Sequence, residues 1–403
     1  MTPKQRLLGP SALQAFRSDV IPGAPEGTEE DHSAILVATL LRQSLAGIDE
    51  VSAKPIREKA LEVARTSLGE PALSEGCTYD DFPARSESDV IRLLSQRTDR
   101  AGRLHLAQHL LESIAEIETS PIDSGRILSE RARVTRKLGL LDFAAEQLHE
   151  LTRAGRRLRS AELIAKAHFG FAALANMRGN FVEYRARLRV GIRIARANHL
   201  RRVCADGYSG LGTSSALQGK YGDAVAYFWK SHQLAGGKGQ IAISALSNLA
   251  QTLLISGRPV EARKVATVVM QTAPRAVVAP ALGTFAIASV QMGDREGVLW
   301  AAEQIGKFAV GYGTAKETAE ALMECSAALN AIGEKAGAGA MKRRSEEMAA
   351  RYGFFGLTFH EALQSVQRIS EPPPLNKAAA KATAAIDDLE VPRFPELAAA
   401  LPA

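Results

Sequence analysis

The chain has 403 residues, with 50 Lys plus Arg against 44 Asp plus Glu for a net charge of +6, and it is 46% hydrophobic but only 5% aromatic. Single cores stop growing at roughly 250–300 residues, so one compact core is excluded, and two domains or an elongated array are expected. Cys77, Cys204 and Cys325 lie too far apart in sequence for a disulfide scaffold or a paired-cysteine metal site, which points to a reducing compartment.

Residues 1–32 are rich in Pro, Gly and Glu and are expected to be flexible. The opening MTPKQRLLGP lacks the charged head and apolar stretch of a secretory signal, so export is not expected and a cytoplasmic location is. Residues 33–46 and 56–69 read as two helices on either side of a Pro-containing linker, and the polar run PALSEGCTYDDFPARSES after them has loop composition. Together 33–87 form a helical N-terminal cap and linker.

From residue 88 to 356 the chain repeats. Gly102, Gly139, Gly179, Gly219, Gly257, Gly293 and Gly333 follow one another at spacings of 37, 40, 40, 38, 36 and 40 residues. Seven residues before each stands a small residue: Ser95, Ala132, Ala172, Gly212, Ala250, Ala286 and Ser326. Five residues after stand Ala107, Ala144, Tyr184, Ala224, Ala262, Val298 and Ala338, small in five of the seven units. The flanks carry apolar residues at helical spacing, as in Leu246, Leu249, Leu253 and Leu254. Each unit is therefore expected to be a helical hairpin, with glycine ending the first helix in the left-handed conformation and a small residue on each helix allowing close approach. The most apolar window, residues 276–292, contains Pro280, Gly283, Thr284, Ser289 and Gln291, which fits a buried helix better than a membrane span.

These residues resemble the tetratricopeptide family of two-helix repeats. The fullest match is Tyr208, Leu211, Gly212, Gly219, Tyr221, Ala224 and Phe228; the next unit supplies Leu249, Ala250, Gly257, Ala262 and Pro274. The period averages 38.5 residues and the family's Trp is absent, so the chain resembles the long-repeat MalT-like and Rap-like variety. The resemblance, over about 88–350, implies an all-α, right-handed superhelical solenoid of about seven hairpins that binds other proteins.

Beyond the repeats, 357–370 is expected to form a short amphipathic helix capping the stack. Residues 371–403 are Pro/Ala-rich and are expected to be a disordered tail holding at most a nascent helix.

The candidate catalytic motifs are incomplete. His105 and His109 have zinc-helix spacing, yet the residues between them are Leu-Ala-Gln and lack the metalloprotease Glu. GYSGL at 207–211 lacks the last glycine of a nucleophile elbow and lies inside a helix. The Gly-Lys clusters at 212–220 and 236–239 fail phosphate-loop spacing. Arg201 and Arg202 beside Cys204 favour its thiolate, but no base accompanies it. Neither enzymatic activity nor a cofactor or metal is expected.

Charge is more informative. Residues 121–204 hold 18 Lys plus Arg and 7 Asp plus Glu, a net of +11, so the rest of the chain is −5. Arg153, Arg156, Arg157 and Arg159 cluster at one helix end, and Arg185, Arg187, Arg189, Arg193 and Arg196 lie along another. They either solubilise the outer face and complement helix C-termini or meet an acidic partner, a protein segment or nucleic acid. Missing aromatic interleaving weighs against single-strand binding.

In such an array the first helices of the hairpins line the concave side. Residues three before and one after the small position are expected to face it: Arg92 and Gln96, Ser129 and Arg133, Phe169 and Ala173, Ser209 and Thr213, Ser247 and Gln251, Gly283 and Ile287, Met323 and Ala327. Asn248 stands where the family often places a ligand-binding Asn, and Arg126, Arg133, Arg136 and Lys166 are expected to make one end of the channel basic. The expected function is a protein-interaction scaffold binding a peptide or helix in this groove. A ligand- or peptide-sensing regulatory protein and nucleic-acid binding through 121–204 are the alternatives.

Overall fold

The computed structural model describes residues 14–15, 29–45, 49–68, 87–100, 102–117, 120–237, 239–273, 278–312, 316–352, 372 and 374–391. Among them every regular element is an α-helix, and the chain divides into two compact units, 1–207 and 208–403. No helix among the described residues is long and apolar enough to cross a membrane.

The first unit begins with α1 (Glu29–Ser44) and α2 (Glu50–Leu68), paired with each other. Pro55, expected in the linker, lies inside α2. The reason is local: Asp49 accepts from the Ser52 backbone N–H at 3.0 Å and from its hydroxyl at 2.8 Å, so this cap starts the helix ahead of the proline, which then sits in its second turn. The hairpins follow as α3 (Glu87–Arg100) with α4 (Leu104–Ala115), α5 (Pro121–Lys137) with α6 (Leu141–Arg157), and α7 (Ala161–Met177) with α8 (Phe181–Ala197). Helix α9 (Arg201–Ala216) begins in this unit and continues into the second. There it pairs with α10 (Tyr221–Ala235), followed by α11 (Gly239–Ile255) with α12 (Pro259–Thr272), α13 (Ala279–Met292) with α14 (Arg295–Tyr312), and α15 (Lys316–Ala331) with α16 (Lys335–Tyr352).

The tandem hairpins have the tetratricopeptide-like build that the spacing predicts. All seven turn glycines adopt positive φ, from 70° at Gly219 to 88° at Gly333, a region where a Cβ is strained. All seven small residues before the glycines, and all seven partners after them, are buried. At Gly212 the missing Cβ makes room for the Phe228 ring, whose Cγ would lie 2.9 Å from it. The window around 276–292 holds a buried helix, α13, with Ala279 and residues 281–289 all enclosed.

One expectation is corrected. Within the expected disordered tail, α17 (Lys377–Asp387) is a helix packed on α10 and α12. Ala379, Ala382, Thr383 and Ile386 form a stripe at i, i+3, i+4 and i+7 and are buried. Average composition hid this stripe, because alanine lets a helix approach closely while burying little area per residue. Asn376 caps the helix by accepting from Ala379 N–H at 2.9 Å and also donates to Asp223 at 2.8 Å. At the other end Lys264 donates to the Asp387 carbonyl at 2.7 Å, which suits a cation at a helix C-terminus. The expected capping helix at 357–370, most of the 71–88 loop, Pro274, Cys77 and most of 1–32 lie outside the described residues.

Candidate functional site

In the first unit the residues expected to face a groove are engaged internally. Arg92 and Gln96 on α3 are only 2% and 1% exposed. Arg92 pairs with Asp89 at 2.6 Å, and Gln96 donates to Glu130 at 3.0 Å. Arg133 bridges Glu130, at 2.8 Å, and Asp99, which Lys137 also holds at 2.9 Å. Burial by itself would push the Asp99 carboxyl up, but the Arg133 and Lys137 cations outweigh it and hold the carboxyl below its usual range.

Three of the four cations expected to make the channel end basic, Arg126, Arg133 and Lys166, are paired with carboxylates. Arg126 forks onto Glu162 at 3.2 and 3.1 Å, Lys166 meets the same carboxylate at 3.4 Å, and Arg136 rests on the Met177 sulfur at 3.5 Å. Helix pairs this close bury charges, and buried charges need partners; the acidic residues on neighbouring helices supply them. Phe169 is a packing residue: its ring fills the notches left by Gly191 on α8 and Gly207 on α9. Ser129 is half-buried on α5.

The second unit differs between its hairpins. Gly283, Ile287, Met323 and Ala327 are buried, because α13 and α15 approach so closely that a Cβ on Gly283 would lie 3.2 Å from the Ala321 Cα. No groove opens there. On α11, however, Ser244, Ser247, Asn248, Gln251 and Ile255 form one partly exposed stripe, at spacings of three and four residues that share a helix face. Ser209 and Thr213 on α9 lie in an equivalent half-buried stripe. The Ser247 and Thr213 hydroxyls turn back onto their own helices, to the Ile243 carbonyl at 3.1 Å and the Ser209 carbonyl at 3.2 Å. The side-chain amides of Asn248 and Gln251 form no hydrogen bond among the described residues. Two amides three residues apart present donors and acceptors of the kind a peptide backbone requires.

The carboxyl of Glu324 on α15 was missed by the sequence reading. It occupies the place where Gly283 would carry a Cβ. Burial, aided by the nearby Glu320 carboxylate, pushes it up to about 8. Only Gly283 hinted at it, and nothing in the spacing linked the two positions.

The motifs set aside on sequence grounds do not converge. His105 is exposed and His109 buried, so only one imidazole of the pair stands open to solvent; burial, with Arg42 nearby, lowers His109 to about 4. Cys204 is 3% exposed, with its sulfur 3.9 Å from the Ile192 carbonyl. Among the described residues no three His, Cys, Asp or Glu side chains gather as metal ligands.

No protein-family model matches the chain, and no curated protein matches it. Among solved structures it is similar to a Rap protein complexed with competence and sporulation factor, at 13% identity over 82% of this chain and 89% of that one, with a TM-score of 0.49. It is similar also to a signal-transduction ATPase with numerous domains carrying a tetratricopeptide repeat sensor, from Pyrococcus horikoshii, at 12% identity over 85% and 55% with a TM-score of 0.46. Aspartyl phosphate phosphatase F from Bacillus subtilis aligns at 11% identity over 84% and 99%, with a TM-score of 0.44.

Proposed function

We propose that the protein is a protein-interaction scaffold that holds an extended peptide or a helix against the first helices of its hairpins, on the stripe of α11 and the neighbouring stripe of α9. The observation that supports this reading is the pair Asn248 and Gln251: two half-buried amides with no internal hydrogen bond, on a helix whose other faces are packed. Both amides reach solvent, so a ligand backbone would exchange their water for direct bonds, each with a modest net gain. Because the helix is fixed on both sides by α10 and α12, a ligand meets a surface already in its bound form, which limits the ordering cost of association.

The test is a selection from a random peptide library on the purified chain, with affinities measured for the native protein and for Asn248→Ala/Gln251→Ala. Loss of two backbone-directed bonds at about 1 kcal/mol each weakens selected peptides roughly thirtyfold. Equal affinity for both proteins rejects the α11 stripe as the docking surface.

A further inference from the structure

Most of the charges expected in the groove are paired with carboxylates, yet the net +11 of residues 121–204 remains. It is concentrated at the junctions that lead from one hairpin to the next. Arg153, Arg156 and Arg159 lie 14, 17 and 20 residues after Gly139; Arg193, Arg196 and His199 lie 14, 17 and 20 after Gly179. Successive hairpins therefore carry the same three positions at the end of α6 and the end of α8. Arg157 and Arg201 extend the set, and all eight residues are exposed. None of the seven arginines makes an ion pair among the described residues, although Glu146 and Glu150 stand on α6 beside them.

Complementing a helix C-terminus accounts for one or two cations in the last turn. It does not account for Arg153 and Arg193, a turn further back, nor for the two junctions themselves. Arg159 and His199 sit at φ 51° and 56°, and they are the non-glycine residues in the left-handed region among the described residues. At the seven turns inside the hairpins that conformation is given to glycine. Here cationic or titratable side chains are kept where glycine would be unstrained, and an outlier of this kind points to a use for the side chain.

We propose that this edge of the first unit binds the phosphodiester backbone of a nucleic-acid duplex. Three observations select that partner. Between residues 141 and 204 the cations are twelve arginines and one lysine, a bias toward the planar fork that pairs with phosphate in two directions rather than toward simple solubility. The cations recur at the same positions of two successive hairpins, a repetition that fits a polymer of evenly spaced charges better than the irregular surface of a folded protein. The ladder itself contains no Phe, Tyr or Trp, so it is built to hold backbone rather than to stack unpaired bases.

The test uses the full chain and a short random-sequence DNA duplex, titrated across salt concentrations. The native protein is expected to give a linear fall of log K with log salt, with a slope near −0.9 for each phosphate engaged. Arg153→Gln/Arg156→Gln/Arg193→Gln/Arg196→Gln should flatten that slope by about 0.9 for each phosphate that is no longer engaged. Arg159→Gly/His199→Gly relieves the strained backbone, so it should fold at least as stably as the native protein and still bind more weakly, separating binding from stability. A flat salt response of the native protein, an unchanged slope in the quadruple variant, or capture of polyglutamate in preference to the duplex would each overturn the proposal, the last by assigning the ladder to an acidic protein surface.

Discussion

The hydroxyl of Ser326 on α15 donates to the carbonyl of Ala338 on α16 at 2.7 Å. These are the small position seven before Gly333 and the small position five after it. Ser95 and Ala107, the same two positions around Gly102, make the same bond at 3.0 Å in the first unit. In the hairpins between, alanine or glycine takes the place of serine, and no hydroxyl is there to make this bond. The relationship shows what the repeated small residues are for: they set how closely the two helices of a hairpin cross.

Replacing Ser326 with Ala should therefore be mild, a loss of about 1 kcal/mol for one buried hydrogen bond. Replacing it with Leu should be severe, because overpacking forces the helices apart at a cost of about 1–3 kcal/mol or more. Urea denaturation followed by far-UV circular dichroism ranks the two. If Leu is tolerated as well as Ala, the crossing is not close.

Gly283 carries a second steric prediction. An added Cβ meets both the Glu324 carboxyl and the Ala321 backbone, so Gly283→Ala should lose stability by about 1–3 kcal/mol, against the gain expected for an unstrained Gly-to-Ala change in a helix. Thermal unfolding of the two proteins gives the sign.

Glu324 makes stability depend on pH. Its carboxyl is pushed up to about 8 in the fold, from an ordinary value of 4.5. Between these values the folded chain holds a proton that the unfolded chain has released, so stability should fall as pH rises, by at most about 1.4 kcal/mol per pH unit for this group. Glu324→Gln should remove that component, matching the native protein near pH 5 and exceeding it near pH 8. Denaturant midpoints measured across this range check the slope; a variant that keeps it refutes the assignment.

Helix α17 is a separable stabiliser of the second unit. Ending the chain before Asn376 exposes the α10 and α12 surface that Ala379, Ala382 and Ile386 cover, and Ile386 is fully buried. At the usual value of burying one large aliphatic side chain plus small ones, the loss should be about 2–4 kcal/mol. Hydrogen exchange should speed up in α10 and α12. Unchanged exchange there would mean that α17 does not hold this position in solution.

The hairpins were legible because each depends on a local rule that a side chain reports: glycine where φ is positive, a small residue where helices cross. The apolar run of 276–292 announced its burial for the same reason. The groove residues were less legible, since facing the concave side and being open to it are different properties. Arg92 and Gln96 occupy the expected face of α3 but are enclosed, and Arg133 meets Asp99 from 34 residues away, a pairing that no repeat period encodes. Gly283 and Met323 close the same face further along because α13 and α15 pack directly. Asn248 and Gln251 stay half-buried on α11. Arg159 and His199 carried no sign of their backbone conformation, because glycine is the residue that announces it. Helix α17 was hidden by alanine, whose stripe is too weakly apolar to stand out from a Pro/Ala-rich background.

The central claim is that the hairpin crossings are sealed while the α11 stripe is open for a ligand. Single cysteines at the two kinds of position test it most directly, in a background with Cys77→Ser; the native Cys204 and Cys325 are buried. Under native conditions a maleimide should label Gln251→Cys rapidly and Ser326→Cys only on unfolding, and a library-selected peptide should slow labelling at 251 alone. Equal labelling at both positions, or labelling at 251 that the bound peptide leaves unchanged, would contradict the account.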